Sequence, residues 1–225
     1  MGQVVTQCRK DLLIQTPYFL TASRNLLLIL ARNPVLGKCK TRLAAKIGDH
    51  AALEVYKILL EHTVDITKDL PCAKQVYYSE QIIDIDIWDS GLFEKKLQHG
   101  ADLGQRMQDA FQKGFKEGYT NIVLIGSDMY DLSKDDILQA FDKLQENDAV
   151  LGPALDGGYY LLGLKQLMPA VFENKNWGTA SVFESTMKDL QGLKVGLLAE
   201  KNDIDRYEDI LNIQAFKPFL IDLRP

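Results

Sequence analysis

Cysteine is scarce in this chain. Cys8, Cys39 and Cys72 are odd in number, widely spaced and joined by no metal-ligand pattern. That excludes a disulfide framework and a cysteine-built metal site, and the expectation is reduced thiols in a cytoplasmic protein. Long apolar runs are missing too. Nothing approaches the roughly 18 residues of a spanning helix, so membrane insertion is not expected. The N-terminus lacks the apolar region and cleavage site of a secretory signal. Met1 to Thr6 fits a myristoylation pattern, but one short enough to be matched by chance. Basic charge is not in excess. The net charge of -5 argues against nucleic acid, which needs a basic face. No repeat or low-complexity linker divides the chain. With 46% hydrophobic and 25% charged residues, the composition excludes a disordered or fibrous class. Its 225 residues suffice for one domain with a substantial core.

The chain turns on Asn121 to Asp131. Ile122 to Ile125 form an unbroken apolar run, stopped by Gly126 and Ser127 and followed by Asp128 and Asp131. Such a run reads as a strand buried on both faces of a parallel sheet. Acidic residues just beyond its C-terminal end sit where open α/β sheets bind ligands. Asp128 is placed to hold a divalent metal against a diphosphate, a reading favoured over capping the helix that starts near Ser133. For Asp131, that role and capping of the helix starting near Ser133 stand equal.

Asn25 to Ala31 is a second such strand. It runs into a loop broken by Pro34 and Gly37 that carries Arg32, Lys38, Lys40 and Arg42. This local reversal of sign in an acidic protein suits a nucleotide phosphate. The loop is not a Walker loop, because its spacing is absent. Helical periodicity predicts a helix from Asp49 to about Lys68, and Lys74 to Tyr78 reads as a strand. Ile83, Ile85 and Ile87 alternate with acids as in an exposed strand, and Trp88 to Leu97 suits a short helix. Asp102 is placed to N-cap a helix whose stripe is Leu103, Met107, Ala110, Phe111 and Phe115. Ser133 to Gln145 is another amphipathic helix.

Ala149 to Leu151 and Tyr159 to Leu164 flank Asp156-Gly157-Gly158, which predicts a hairpin with one antiparallel strand. On spacing alone, Asp156 serves the turn. Ser181 and Glu184 have capping-box spacing before a further helix, and Lys194 to Ala199 is a last strand. Asp203 and Asp205 point the same way if extended and could share a cation with Asp128; alternatively Asp205 caps the final helix. Alternating strands and helices imply a mostly parallel, mixed sheet between helical layers.

The stretch from Ala31 through Lys40-Thr41-Arg42-Leu43 resembles the opening motif of the bacterial radical-SAM/selenodomain-associated transferase 1 proteins. These belong to the glycosyltransferase-A, or nucleotide-diphospho-sugar transferase, superfamily. The resemblance continues through Gly100 to Met107, Gly126-Ser127-Asp128, Gly152 to Leu161, Trp177-Gly178-Thr179 and Asp203-Ile204-Asp205, in the same order, over roughly residues 25 to 213. It implies a three-layer glycosyltransferase-A domain over residues 25–225 behind an extension over residues 1–24. It implies nucleotide binding by Ala31, Arg32, Lys38, Lys40, Thr41 and Arg42, joined by Asp102, Arg106 and Ser127. Asp128, Asp203 and Asp205 correspond to metal-binding acids, for Mg²⁺ or Mn²⁺. Gly157, Gly158, Tyr159, Trp177 and Thr179 fall to substrate binding.

The expected activity is transfer from a nucleotide-activated donor, a nucleotide-diphospho-sugar, to an unknown acceptor. Asp156 is the best available base, and Arg42 adds charge at the reacting phosphates. The alternatives are a nucleotidyltransferase and an inactive nucleotide-binding relative. The first is suggested by a likeness of Lys40 to Leu43 to phospholactate guanylyltransferases. The second is suggested by departures from the family pattern: Met129-Tyr130 after the aspartate, Gly178 for a serine, and Arg206-Tyr207 for Thr-Pro.

Overall fold

A computed structural model describes residues 24–220. Cys8, the myristoylation pattern and all of the expected N-terminal extension except Arg24 lie outside the described residues.

The strands are β1 (Asn25–Ala31), β2 (Ala73–Tyr78), β3 (Glu94–Leu97), β4 (Asn121–Gly126), β5 (Ala149–Pro153), β6 (Tyr159–Leu164) and β7 (Val195–Leu197). The helices are α1 (Thr41–Ile47), α2 (Asp49–Thr67), α3 (Leu103–Lys116), α4 (Lys134–Glu146), α5 (Val182–Asp189) and α6 (Tyr207–Ile210). One seven-stranded sheet runs β3-β2-β1-β4-β6-β5-β7. Only β6 is antiparallel to its neighbours, as the hairpin predicted.

Both faces of the sheet are covered, which explains the uninterrupted apolar runs of β1 and β4. Leu27 and Ile29 join a core with α1, α2, α4 and α6, while Leu26 and Leu28 face Met107 and Phe111 of α3. The sheet order reverses at β1, which is flanked by β2 and β4. The C-terminal ends of β1 and β4 therefore frame a crevice, the usual ligand position in an open α/β sheet.

Several expectations need correction. Residues 82–87 form no strand; Ile85 is 94% exposed. The segment is pinned by side chains instead. Asp86 accepts from Lys95 Nζ at 2.8 Å and from the Tyr78 hydroxyl at 2.6 Å. No helix spans Trp88 to Leu97. Asp89 Oδ1 accepts the Gly91 N–H at 2.9 Å, a local turn that competes with helix. Trp88 packs edge-on to Phe93, and Glu94 onward pairs with β2 as the edge strand β3.

Ser133 and Asp136 form the capping box of α4, so neither Asp128 nor Asp131 caps it. Ser181 makes no cap bond; its hydroxyl pairs with Thr179 Oγ1 at 2.9 Å, and Glu184 pairs with Lys188. Arg206 rather than Asp205 is the N-cap residue of α6, and Asp209 takes the Asp205 and Arg206 N–H groups. Leu103 leaves the core stripe of α3 and is 44% exposed.

Candidate active site

The first loop is shaped by Asn33, which is buried. Its Nδ2 donates to the Gln81 carbonyl at 2.7 Å and its Oδ1 accepts the Glu80 N–H at 2.9 Å. Cys39 Sγ contacts the Asn33 carbonyl at 3.3 Å, and burial raises that thiol's pKa. Lys40 takes a left-handed conformation, φ 48°, at the entry to α1. Few side chains other than glycine adopt this backbone, and here it turns the lysine towards the end of β4.

That end is tied to β1 by Tyr56 of α2. The Tyr56 hydroxyl accepts the Arg32 N–H at 2.8 Å and shares a hydrogen bond with Ser127 Oγ at 3.1 Å. Burial raises its pKa, so it remains a neutral phenol.

Between these ends opens a cavity of about 670 Å³. Of the site residues expected from the sequence, all but Gly157 line it. Gly157, φ 87°, packs against the Ala180 backbone, where a Cβ would lie 2.3 Å from the carbonyl oxygen. Lys40 Nζ lies 3.1 Å from Asp128 Oδ2, and Arg42 Nη1 lies 2.8 Å from Asp205 Oδ2. The bond to Asp205 raises the pKa of the exposed Arg42 further. Lys38 reaches outward to Glu80 at 3.1 Å. Asp203 is pushed up to about 6, first by burial and then by the Asp128 carboxylate, with Lys40 opposing.

Asp156 does serve its turn: Oδ1 accepts the Gly158 N–H at 2.8 Å. Its carboxylate nevertheless borders the cavity and contributes to the raised pKa of Asp203. Asp102 caps α3 by accepting the Gln105 N–H at 2.8 Å. Arg106 Nε donates to the Gly100 carbonyl at 3.1 Å. Thr179 Oγ1 donates to the Asn176 carbonyl at 2.8 Å. Asp131 does not line the cavity; its carboxylate faces the Asn202 N–H at 3.5 Å.

Two lining residues gave no sequence signal of their role. Tyr56 belongs to the apolar stripe of α2. Gln98 Nε2 donates to the carbonyls of Ala31 (3.1 Å) and Tyr77 (2.9 Å), and its Oε1 faces Arg106 Nη1 at 3.4 Å. Only the fold brings those partners to it.

Carboxylate oxygens are donors for a hard cation such as Mg²⁺ or Mn²⁺. Asp203 is raised first by burial and then by the Asp128 carboxylate, and such a cation would relieve the second of these. By donor chemistry the set fits. Among the described residues, however, no three acidic, histidine or cysteine side chains stand at ligand spacing.

Residues 63–179 match DUF2064, described as "uncharacterized protein conserved in bacteria". The chain belongs to this family. Its structure resembles that of a candidate nucleotide-diphospho-sugar transferase from Desulfovibrio desulfuricans G20. The two are 31% identical, with a TM-score of 0.77 over 87% of this chain and 91% of that one. A 4-diphosphocytidyl-2C-methyl-D-erythritol synthase from Anaerococcus prevotii shares the fold at 14% identity, with a TM-score of 0.53 over 83% of this chain and 93% of that one. No curated protein matches. The fold is the mixed, mostly parallel α/β fold of the nucleotide-diphospho-sugar transferases. Among the described residues no helix is long and apolar enough to cross a membrane.

Proposed function

We propose that this protein is a divalent-metal-dependent transferase acting on a nucleotide-activated donor, with glycosyl transfer from a nucleotide-diphospho-sugar as the reaction. One observation carries the reading. Lys40 and Arg42 of the first loop meet Asp128 and Asp205, contributed by two distant loops, in one cavity at the switch point of the sheet. The family resemblance noted in the sequence, to radical-SAM/selenodomain-associated transferases, supports it, as does the likeness to the Desulfovibrio protein.

In this reading Asp128, Asp203 and Asp205 hold Mg²⁺ or Mn²⁺. When bound, the ion supplies Lewis acidity and a template at the donor diphosphate. Lys38, Lys40 and Arg42 bind the diphosphate oxygens, and their preorganised charge stabilises the negative charge that develops on the leaving group. Ala31, Arg32, Thr41 and Ser127 complete the nucleotide side, with Asp102 and Arg106 opposite. Asp156 takes the proton of the acceptor hydroxyl as its oxygen attacks the sugar carbon and the bond to the diphosphate breaks. Gly157, Gly158, Tyr159, Trp177 and Thr179 border the acceptor.

A second reading, nucleotidyl transfer, is supported by the shared fold of the Anaerococcus synthase and the Lys40-Thr41-Arg42-Leu43 stretch. The released product separates the two: nucleoside diphosphate from a sugar nucleotide, or pyrophosphate from a nucleoside triphosphate. The test of the site itself is a thermal-shift screen of nucleotides and sugar nucleotides with and without Mn²⁺, since a bound ligand raises the melting temperature by mass action. Hits are then titrated calorimetrically into Asp128→Ala. Loss of the metal-dependent component with the fold intact is expected; unchanged binding removes Asp128 from the site.

A further inference from the structure

The cavity is chemically uneven. Away from the first loop its wall is apolar: Leu103 and Met107 one turn apart on α3, Leu124 of β4, and the rings of Tyr159 and Trp177. Gly104 allows this corner to form. A Cβ there would lie 2.2 Å from the Phe172 carbonyl oxygen and 2.8 Å from the Trp177 ring, so only glycine lets the indole rest on the helix. The Tyr159 and Trp177 rings stand nearly perpendicular, 84°, with centroids 6.5 Å apart.

The polar groups bordering this corner are already engaged with the chain itself. Asp102 holds the Gln105 N–H, Arg106 Nε holds the Gly100 carbonyl, and Thr179 holds the Asn176 carbonyl. The Tyr159 hydroxyl is held far more weakly. Its sole partner is Met107 Sδ at 4.0 Å, a weak acceptor at long range. Burial raises the pKa of this phenol and keeps it a donor. A polar atom left so poorly paired in an apolar wall is costly unless a ligand completes it.

We propose that this corner is the acceptor subsite and that it takes a small ring-bearing alcohol, an apolar body with an oxygen that accepts from Tyr159, and not a sugar or other polyol. The assignment rests on the transferase reading. Two perpendicular rings receive a third ring flat on one face and edge-on to the other. A polyol would bury several hydroxyls against Leu103, Met107 and Leu124, where the Tyr159 hydroxyl and the Trp177 indole N–H are fewer donors than a polyol has hydroxyls, and each unmatched hydroxyl would count against binding.

The test follows the Trp177 indole N–H by NMR in the full chain, with Trp88 as internal control, since it is buried in the core on the opposite face of the sheet. Phenol, toluene, cyclohexanol and glucose are titrated separately. Phenol, toluene and cyclohexanol are expected to shift Trp177 saturably and leave Trp88 still, with glucose silent. Tyr159→Phe should weaken phenol about tenfold while leaving toluene unchanged, the signature of one lost hydrogen bond. Leu103→Asp, at an exposed position that the fold does not need, should abolish phenol binding. The assignment is overturned if glucose shifts Trp177 at lower concentration than phenol, if no ring probe binds, or if Leu103→Asp binds phenol as before. Calorimetry of a nucleoside diphosphate with Mn²⁺ is run in parallel. Nucleotide binding without phenol binding defeats the acceptor assignment and leaves the transferase reading standing; absence of nucleotide binding defeats that reading by itself.

Discussion

Arg42 Nη1 donates to Asp205 Oδ2 at 2.8 Å across 163 residues of sequence, with Asp128 and Asp203 lining the same cavity. The basic first loop and the acidic stretch before α6 therefore border one cavity. Arg42 lies far enough out to meet a diphosphate and too far from the core to serve folding. Arg42→Ala should weaken nucleoside diphosphates by about tenfold or more and nucleosides hardly at all, because the charge-assisted bonds it offers need an anionic partner. Calorimetry with both ligand types checks this; equal losses would place Arg42 away from the phosphates.

Asp203 makes stability depend on pH. Its pKa rises from 3.8 in the unfolded chain to about 6 in the folded one, through burial and then the Asp128 carboxylate. Below the unfolded value the group is neutral in both states, and its contribution to stability is fully present. That contribution is lost as pH rises through about 6, where the folded protein must ionise a half-buried acid. With chelator present, Asp203→Asn should stabilise the protein near pH 8 by about 1–2 kcal/mol after allowance for solvent screening, and near pH 4 by almost nothing. Urea denaturation at the two pH values reads the difference; equal shifts would mean that Asn acts by packing.

Tyr56 offers a test of the frame that holds the cavity open. Tyr56→Phe keeps the ring in the core and deletes the hydroxyl that takes the Arg32 N–H and meets Ser127. A loss of about 1 kcal/mol is expected, since the part-buried Arg32 N–H then lacks its partner. Nucleotide affinity should fall with it, because the proposed function puts Arg32 and Ser127 on the nucleotide side. Chemical denaturation alongside nucleotide titration checks both; full stability with unchanged affinity would make the hydroxyl incidental.

Gly104 is a packing test at the other wall. Gly104→Ala drives a methyl into the Phe172 carbonyl and the Trp177 ring, and overpacking of this kind costs about 1–3 kcal/mol. The near-ultraviolet circular dichroism of the Trp177–Tyr159 pair should change as the indole is displaced. An unaltered spectrum at wild-type stability would show that the corner is looser than its geometry.

The elements legible in the sequence were those whose cause is local. Ile122 to Ile125 announce a two-sided buried strand, and the helical spacing of Ile137, Phe141 and Leu144 announces α4. The cations of the first loop stand out against an acidic chain, and the acids near the ends of β4 and β7 stand out by position. What stayed hidden depends on distant partners. Ile83, Ile85 and Ile87 have a strand's alternation but no ladder to join, because Asp86 is already taken by Lys95 and Tyr78. Leu103 keeps helical spacing with the core residues of α3 yet faces the cavity. Tyr56 and Gln98 are ordinary residues whose importance comes from carbonyls and hydroxyls tens of positions away.

The left-handed turn at Lys40 has one more consequence. By bringing that ammonium to Asp128 while Arg42 reaches Asp205, it leaves the resting crevice internally neutralised. In the proposed function, an anion arriving alone would strand a carboxylate, and a divalent ion arriving alone would strand a cationic side chain. Each guest would release the counter-charge that the other needs, so the two should bind with positive cooperativity.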